Sequence, residues 1–316
     1  MTGPDRRRRS AGAPVAAIDC GTNTIKLLVG TLPDVAVREM RMVRLGQDLD
    51  RTGRIADEAL ERAFAAIDEY AAIIRDHDVP PDRVRFVATS ASRDASNSAD
   101  FVAGVRHRLG VEPEVVSGAE EAALSFSGAV RNLRTPPSGP VLVVDIGGGS
   151  TELVLGTDGP QRSDSMDVGS VRLHERHLHS DPPTAEEVAA CAGDVDAHLD
   201  ASPVDPSVAG TVVGVAGTVT TVAAAVLDLP AYVRSAIDQA VLPVGDVLAA
   251  VDRQLAMTVA ERRGLPYMHP GRADVIDAGA LILARVLRRA AVDSLVVSES
   301  DILDGIAWSV GNADSP

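Results

Sequence analysis

The sequence predicts an α/β protein built from two similar domains that face each other across a cleft, and three observations carry that prediction. The stretch 141–156, VLVVDIGGGSTELVLG, reads as a buried strand, a glycine turn and a second strand returning antiparallel to the first. A second copy, AAIDCGTNTIKLLVGTL, stands near the N-terminus. There Asp19 falls on Asp145, Gly21 on Gly147, Thr24 on Ser150, Leu27 on Leu153, Gly30 on Gly156 and Thr31 on Thr157. The copies lie 126 residues apart, about the size of one domain.

The apolar β-branched run 141–144 suits a strand covered on both faces. Gly147, Gly148 and Gly149 are expected to take positive φ and to approach a ligand where a Cβ would clash. Successive amides in such a turn form an anion-binding concavity, to which the Ser150 and Thr151 hydroxyls add donors. Asp145 enters the turn and Glu152 leaves it, a pair suited to a phosphate held with Mg2+, a cation that takes oxygen ligands. Alone, the stretch also reads as a tight hairpin with polar turn residues, the lesser of the two readings; the second copy argues for a site.

Composition bounds the rest. At 316 residues, 45% hydrophobic and 24% charged, the chain is a soluble globular protein with room for two cores. Aromatics are only 3%, so Ala, Val, Leu and Ile must pack those cores. No apolar run reaches a membrane span, since AAAVLDL and ALILARVL are broken by charge. The basic run at residues 6–9 lacks a following apolar region and is not a secretory signal. Cys20 and Cys191 form no disulfide framework or metal-ligand spacing, and the expectation is a reduced, cytoplasmic protein. A net charge of −15 argues against a nucleic-acid surface but not against an anion in a cleft. Lys26 is the only lysine.

In chain order, residues 1–13 are patternless and read as a disordered tail. A first domain follows over 14–137. After its hairpin, the sheet is expected to continue through RMVRLGQDLDRTGRI, with a turn at Thr52 and Gly53. Leu60, Phe64, Ile67, Ala71 and Ile74 recur at helical spacing and predict an amphipathic helix over 57–76. Residues 84–89 form a strand that runs into SASRDASN and a helix at 98–109. Arg93 follows that strand's carboxyl end, where ligands of open α/β sheets bind; it reads as a phosphate contact or as a solvated loop arginine.

Ser117 and Glu120 match a capping box, giving Glu120 a structural task and leaving Glu121 without one. Glu121 shares its helix side with Leu124, Ser125 and Gly128, mostly small residues that leave room for a ligand. It is either a water-polarising carboxylate or an exposed helix-start glutamate favourable to the helix dipole. RTPPSGP reads as the linker to a second domain over 138–300. His174, His177 and His179 lack metal-ligand spacing and read as surface or helix residues. VVGVAGTVTTVAAAVL gives a strand, a turn at Gly217 and Thr218, and a helix start suited to an anion or nucleotide group. Arg272 and Asp274 precede a long helix and the strand SLVVS. A final helix within 301–316 is expected to pack back on the first domain.

These motifs carry a resemblance. DCGTNTIKLLV, DIGGGSTELVLG and VAGTVTTVAA look like the two phosphate loops and the later nucleotide loop of the actin/Hsp70/sugar-kinase fold. VATSASRDASN, VVSGAEEAALSFSGAV, HPGRADVIDAG and VVSESDILDG narrow it, and together the motifs resemble the exopolyphosphatase/guanosine pentaphosphate phosphatase family, over residues 16–307. The resemblance implies two actin-like, ribonuclease H-like domains with mixed sheets flanked by helices, and an active site in the interdomain cleft. It makes Glu121, second in the S-G-x-E-E-A motif, the catalytic base. Phosphate-binding positions are Asp19, Gly21, Thr22, Asn23, Thr24, Arg93, Gly147, Gly148, Gly149, Ser150, Gly217 and Thr218. Metal-binding positions are Asp145 and Glu152, for Mg2+, with Mn2+ as the alternative. Thr22 and Thr24 replace the family's usual serines and keep the hydroxyls; the final motif lacks its usual arginine at 302–304. The chain resembles the short, two-domain type.

The expected activity is hydrolysis of the terminal phosphoanhydride of inorganic polyphosphate. The alternative is a guanosine pentaphosphate (pppGpp) 5′-phosphatase of the stringent response; a kinase of the same fold fits the S-G-x-E-E-A motif less well. A non-catalytic polyphosphate or alarmone sensor is the rival from another class, disfavoured because a sensor has no need of Glu121. The resemblance also implies a homodimer.

Overall fold

The computed structural model describes residues 13–312. The tail expected over 1–13 falls, but for Ala13, outside them, as do residues 313–316. The first sheet comprises β1 (Val15–Cys20), β2 (Thr24–Thr31), β3 (Asp34–Met42), β4 (Val84–Ala88) and β5 (Glu114–Val115). Its order is β3-β2-β1-β4-β5. The helices before the second sheet are α1 (Leu49–Thr52), α2 (Asp57–Asp76), α3 (Ser90–Asp94), α4 (Ser98–Leu109) and α5 (Gly118–Arg131). The second sheet comprises β6 (Val141–Ile146), β7 (Thr151–Gly156), β8 (Pro160–Met166), β9 (Thr211–Val215), β10 (Val241–Pro243) and β11 (Ser294–Val297), ordered β8-β7-β6-β9-β11-β10. With it go α6 (Ser170–His177), α7 (Ala185–Ala201), α8 (Ala216–Val226), α9 (Arg234–Ile237), α10 (Val244–Leu255), α11 (Val259–Arg263) and α12 (Ile276–Arg289); α13 (Ile302–Asn312) is the last element among the described residues.

The duplication read in the sequence is a duplication of topology. In each sheet a meander of three antiparallel strands is followed by parallel strands: β1 pairs parallel with β4, and β6 pairs parallel with β9. The agreement extends to an irregularity. The pairing shifts by a bulge at Gly30 in one sheet and at Gly156 in the other. A Cβ would meet the Asp34 carbonyl oxygen at 2.3 Å in the first case and the Gly159 carbonyl oxygen at 2.0 Å in the second. The backbones approach too closely for any residue but glycine.

Strand alternation sorts the side chains into layers. Ala16, Ile18 and Cys20 pack outward with α2 and α4, whereas Val15 and Ala17 pack inward against Ile302, Leu303 and Ile306 of α13. In the second sheet Leu142, Val144 and Ile146 join the large outer core, and Val141 and Val143 meet Ala122, Phe126 and Ala129 of α5. Thus α13 covers the first sheet, α5 covers the second, and the two helices cross between them. Gly128 and Gly305 mark the crossing: a Cβ on Gly128 would lie 1.9 Å from the Asp301 carbonyl oxygen, and one on Gly305 2.0 Å from the Leu124 carbonyl oxygen. Leu124 and Gly128, expected to leave room for a ligand, therefore meet α13 instead, whereas Ser125 donates to Asp145.

Three local readings are corrected. The third strand lies at Asp34–Met42, earlier than the stretch that begins at Arg41. The α2 face turns to bury Ala59, Ala63, Ala66 and Tyr70 along with Ile67, Ala71 and Ile74, leaving Leu60 and Phe64 half-buried. The Ser117 hydroxyl accepts from the Glu120 amide, but the Glu120 carboxylate reaches Arg85 at 2.8 Å and does not close a capping box. No helix among the described residues is long and apolar enough to cross a membrane.

Candidate active site

The same alternation decides which groups enter the space between the sheets. Residues 15, 17 and 19 share the inner face of β1, as do 141, 143 and 145 on β6. Asp19 and Asp145 therefore occupy corresponding places facing the cleft. Across the hairpins, Asp19 pairs with Lys26 and Asp145 with Glu152. The two turns close alike: the Gly21 amide donates to the Thr24 carbonyl at 2.9 Å, and the Gly147 amide to that of Ser150 at 3.0 Å. Between the hairpins lies a cavity of about 90 Å³.

Most of the residues singled out in the sequence border this cavity. They are Asp19, Gly21, Thr22, Asn23 and Thr24 of the first loop, Glu121 of α5, Asp145, Gly147, Gly148, Ser150 and Glu152 of the second loop, and Gly217 and Thr218 after β9. Two stand apart. Arg93 lies in α3 behind Glu121, with Nη1 3.3 Å from the Glu121 carboxylate and 3.0 Å from the Val116 carbonyl oxygen. Gly149 faces the opposite loop: a Cβ there would lie 2.6 Å from Thr22 Oγ1 and 2.8 Å from Ser90 Oγ.

That contact explains why the second loop needs glycine, and it corrects the expected reason. None of Gly147, Gly148 and Gly149 has positive φ. The constraint at Gly149 is space between the two loops. The left-handed residue of the site is Ala216, at φ 66, where β9 turns into α8. A Cβ in that conformation costs roughly 1–2 kcal/mol, strain of the kind that marks ligand clamps.

Burial and mutual repulsion set the electrostatics. Glu121 is 7% exposed, which removes the reading of a solvated helix-start glutamate. Burial pushes its pKa up to about 7, against the pull of Arg93 and helped by Asp19 and Asp145. Burial likewise raises Asp145 to about 6, although Lys26 and a hydrogen bond from Ser125 oppose it. Glu152 is raised well above the usual carboxylate range by burial, then by Glu121 and Asp145, while Ser165 donates to it at 2.8 Å. With Asp19, four carboxylates thus share one cavity with too little positive charge.

Of the two cations that border the cavity, Lys26 and Arg272, the lysine serves the side of Asp19. It lies 2.6 Å from Asp301 and 3.3 Å from Asp19. Burial disfavours its ammonium, but Asp301 and Asp19 outweigh burial and raise its pKa. Burial also pushes Asp301 up, yet Lys26 and Arg38 bring it below its ordinary value, whereas the more distant Asp19 stays raised. Lys26 is therefore held chiefly by Asp301. The sequence drew attention to Lys26 and Arg272 without assigning them to the site, and did not single out Ser90 or Asp301; all four line this cavity or its neighbour. Two signals for Lys26 were present: it is the only lysine, and it falls under Glu152 when the copies are superposed.

Cys20 ends β1 with its side chain in the outer core, and burial raises its thiol pKa. His174 and His177 face Asp277 and Asp194 at 3.2 and 2.7 Å. Among the described residues, no group of three His, Cys, Asp or Glu forms a ready metal cage. Mg2+ does not require one, since it binds through one or two carboxylates together with phosphate oxygens and water. Asp145 and Glu152, adjacent hard oxygen donors short of counter-charge, fit it.

Two copies of one mixed α/β sheet, with glycine hairpins meeting over buried carboxylates, define a duplicated α/β protein with its site between the copies. The chain belongs to the Ppx/GppA phosphatase family, whose sequence model matches residues 25–310. It is 48% identical to Exopolyphosphatase 2 of Mycobacterium tuberculosis, over 94% of this chain and 98% of that one. A crystal structure of an exopolyphosphatase-like protein superposes with a TM-score of 0.91 at 46% identity, covering 95% and 99% of the two chains. The Aquifex aeolicus member of the Ppx/GppA family superposes with a TM-score of 0.81 at 30% identity, covering 96% and 99%.

Proposed function

We propose that the protein is an exopolyphosphatase that hydrolyses the terminal phosphoanhydride of inorganic polyphosphate. The observation that carries this reading is Glu121, a buried carboxylate raised to about 7, standing over two glycine hairpins in one cavity. A base poised near neutrality suits the extraction of a proton from water. Amides and hydroxyls of the two loops, among them Thr22, Thr24 and Ser150, would hold the oxygens of the terminal phosphoryl group. Glu121 would accept one proton from a water as its oxygen attacks the terminal phosphorus. The bond to the bridging oxygen breaks, that oxygen leaves with the electron pair on the shortened chain, and orthophosphate is released. Arg93 orients the Glu121 carboxylate from behind. Asp145 and Glu152 would hold Mg2+, which supplies charge neutralisation at the phosphate oxygens.

A second reading, 5′-phosphatase action on pppGpp, is favoured by a neighbouring chamber. About 500 Å³ in volume, it shares Lys26, Ala216, Gly217 and Arg272 with the first cavity and is walled by Tyr232, Tyr267 and Met268. Its cations are largely paired, Arg38 with Asp304 and Arg234 with Glu299, so it suits a flat apolar group better than a bare polyanion. A cytoplasmic location accords with both substrates.

Phosphate release with Mg2+ from short polyphosphate, long polyphosphate and pppGpp tests the proposal, alongside Glu121→Ala. Loss of the base is expected to cost on the order of 10²- to 10⁴-fold in rate. Release from pppGpp alone would favour the second reading, and binding without release from any substrate would make the protein a sensor.

A further inference from the structure

The chemistry above leaves unexplained a cluster of charges on the rim of the cleft, where α6 meets the first domain. Arg172 is the most enclosed of the arginines there, with 13% of its side chain exposed. Its Nη1 lies 3.1 Å from Asp50, and its Nη2 lies 2.7 Å from Asp94. Arg176, one turn later, reaches Asp50 at 2.9 Å, and Glu175 accepts from the Asp48 amide at 3.2 Å. All the partners on one side belong to α3 or to the segment around α1, and all on the other side to α6.

That helix is itself fastened to the second glycine loop. The Ser170 amide donates to the Gly147 carbonyl at 2.9 Å, and the Val171 and Arg172 amides donate to that of Gly148 at 2.8 and 3.1 Å. A Cβ on Gly169 would lie 2.4 Å from the Gly148 carbonyl oxygen, so no gap separates helix start and loop. Any displacement of α6 is passed to Gly147 and Gly148, which border the cavity.

We infer that Arg172 is a positioning residue: by gripping Asp50 and Asp94 of the first domain, it holds the second glycine loop at closing distance from Thr22 and Ser90. It lies outside the lining of the cavity and acts through the loop. The inference rests on the reading that both hairpins hold one phosphoryl group. Without the grip, substrate binding itself must close the cleft, and the apparent affinity falls by the fraction of molecules already closed. At saturation the closed state is restored, so KM moves and kcat does not.

The test compares wild type, Arg172→Ala, Arg172→Lys and Asp94→Asn in steady-state hydrolysis of polyphosphate with Mg2+, and by X-ray scattering without substrate. For Arg172→Ala we expect KM to rise about tenfold, with kcat within about twofold and a larger radius of gyration. Asp94→Asn should give part of that change, add little to Arg172→Ala in the double variant, and leave melting temperatures near wild type. Lysine should restore an intermediate KM. Unchanged KM and radius would overturn the inference, as would a fall in kcat and melting temperature at constant radius, which marks a purely structural role. If wild type releases no phosphate from any substrate, the functional reading fails. The scattering comparison would still decide whether Arg172 holds the domains closed.

Discussion

Replacing Glu121 by glutamine should make the protein both inactive and more stable, and the structure sets the size of the gain. Burial raises the Glu121 pKa from 4.5 to about 7, so the folded state holds a proton that the unfolded chain releases over that interval. The sign follows from linkage: the folded state binds more protons between pH 4.5 and 7, so stability is lost as pH rises through that window. At ~1.4 kcal/mol for each tenfold change in proton affinity, the ionised Glu121 costs about 3 kcal/mol once pH exceeds 7. Glutamine keeps the shape and carries no charge. Urea denaturation of both proteins from pH 4 to pH 8, without metal, should give curves that coincide at the acid end. They should separate by about 3 kcal/mol at the alkaline end, with glutamine the more stable. Parallel curves, or a glutamine variant less stable at pH 8, would refute the claim that Glu121 is a desolvated carboxylate held against its preference. The activity of the same variant, expected to fall on the order of 10²- to 10⁴-fold, ties the stored cost to the chemistry.

Other perturbations bear on other parts of the site. Gly149→Ala drives a Cβ to 2.6 Å from Thr22 Oγ1 and should force the loops apart. Turnover should drop by about 100-fold with a modest change in melting temperature, as expected when misplacement dominates. Mg2+ should raise the melting temperature of wild type by relieving repulsion among Glu121, Asp145 and Glu152, and Asp145→Asn should abolish most of that shift, read by calorimetry. Arg262 and Asp277 form an ion pair at 2.7 Å with each side chain 1% exposed. Arg262→Ala should therefore cost about 3–5 kcal/mol in urea titrations, because it strands a buried carboxylate.

The hairpins were legible because their signal is local. Apolar alternation, glycine at the turn and glycine at the bulge recur in both copies, and each has a short-range steric cause. The helices at 57–76 and 98–109 were legible for the same reason. What the sequence hid depends on contacts distant along the chain. The small face of α5 looks like space for a ligand until α13, arriving some 180 residues later, fills it at Gly128 and Gly305. Glu120 meets Arg85 across the fold, which spacing alone cannot show, so the matching capping box was only half made. Lys26 shows the same limit. Its place in the repeat was visible, but its role depends on Asp301, 275 residues away.

The correspondence between Lys26 and Glu152 has a consequence for how such a site can arise. In a symmetric homodimer of single-domain chains, equivalent positions are encoded once, so both halves must present the same side chain to the shared axis. Here the equivalent positions are written separately in one gene. One half answers its aspartate with a cation, and the other with a second anion. Carrying both halves in one chain leaves them free to differ, and the polarity across the cleft uses that freedom. Neither half, expressed alone and paired with itself, could reproduce it.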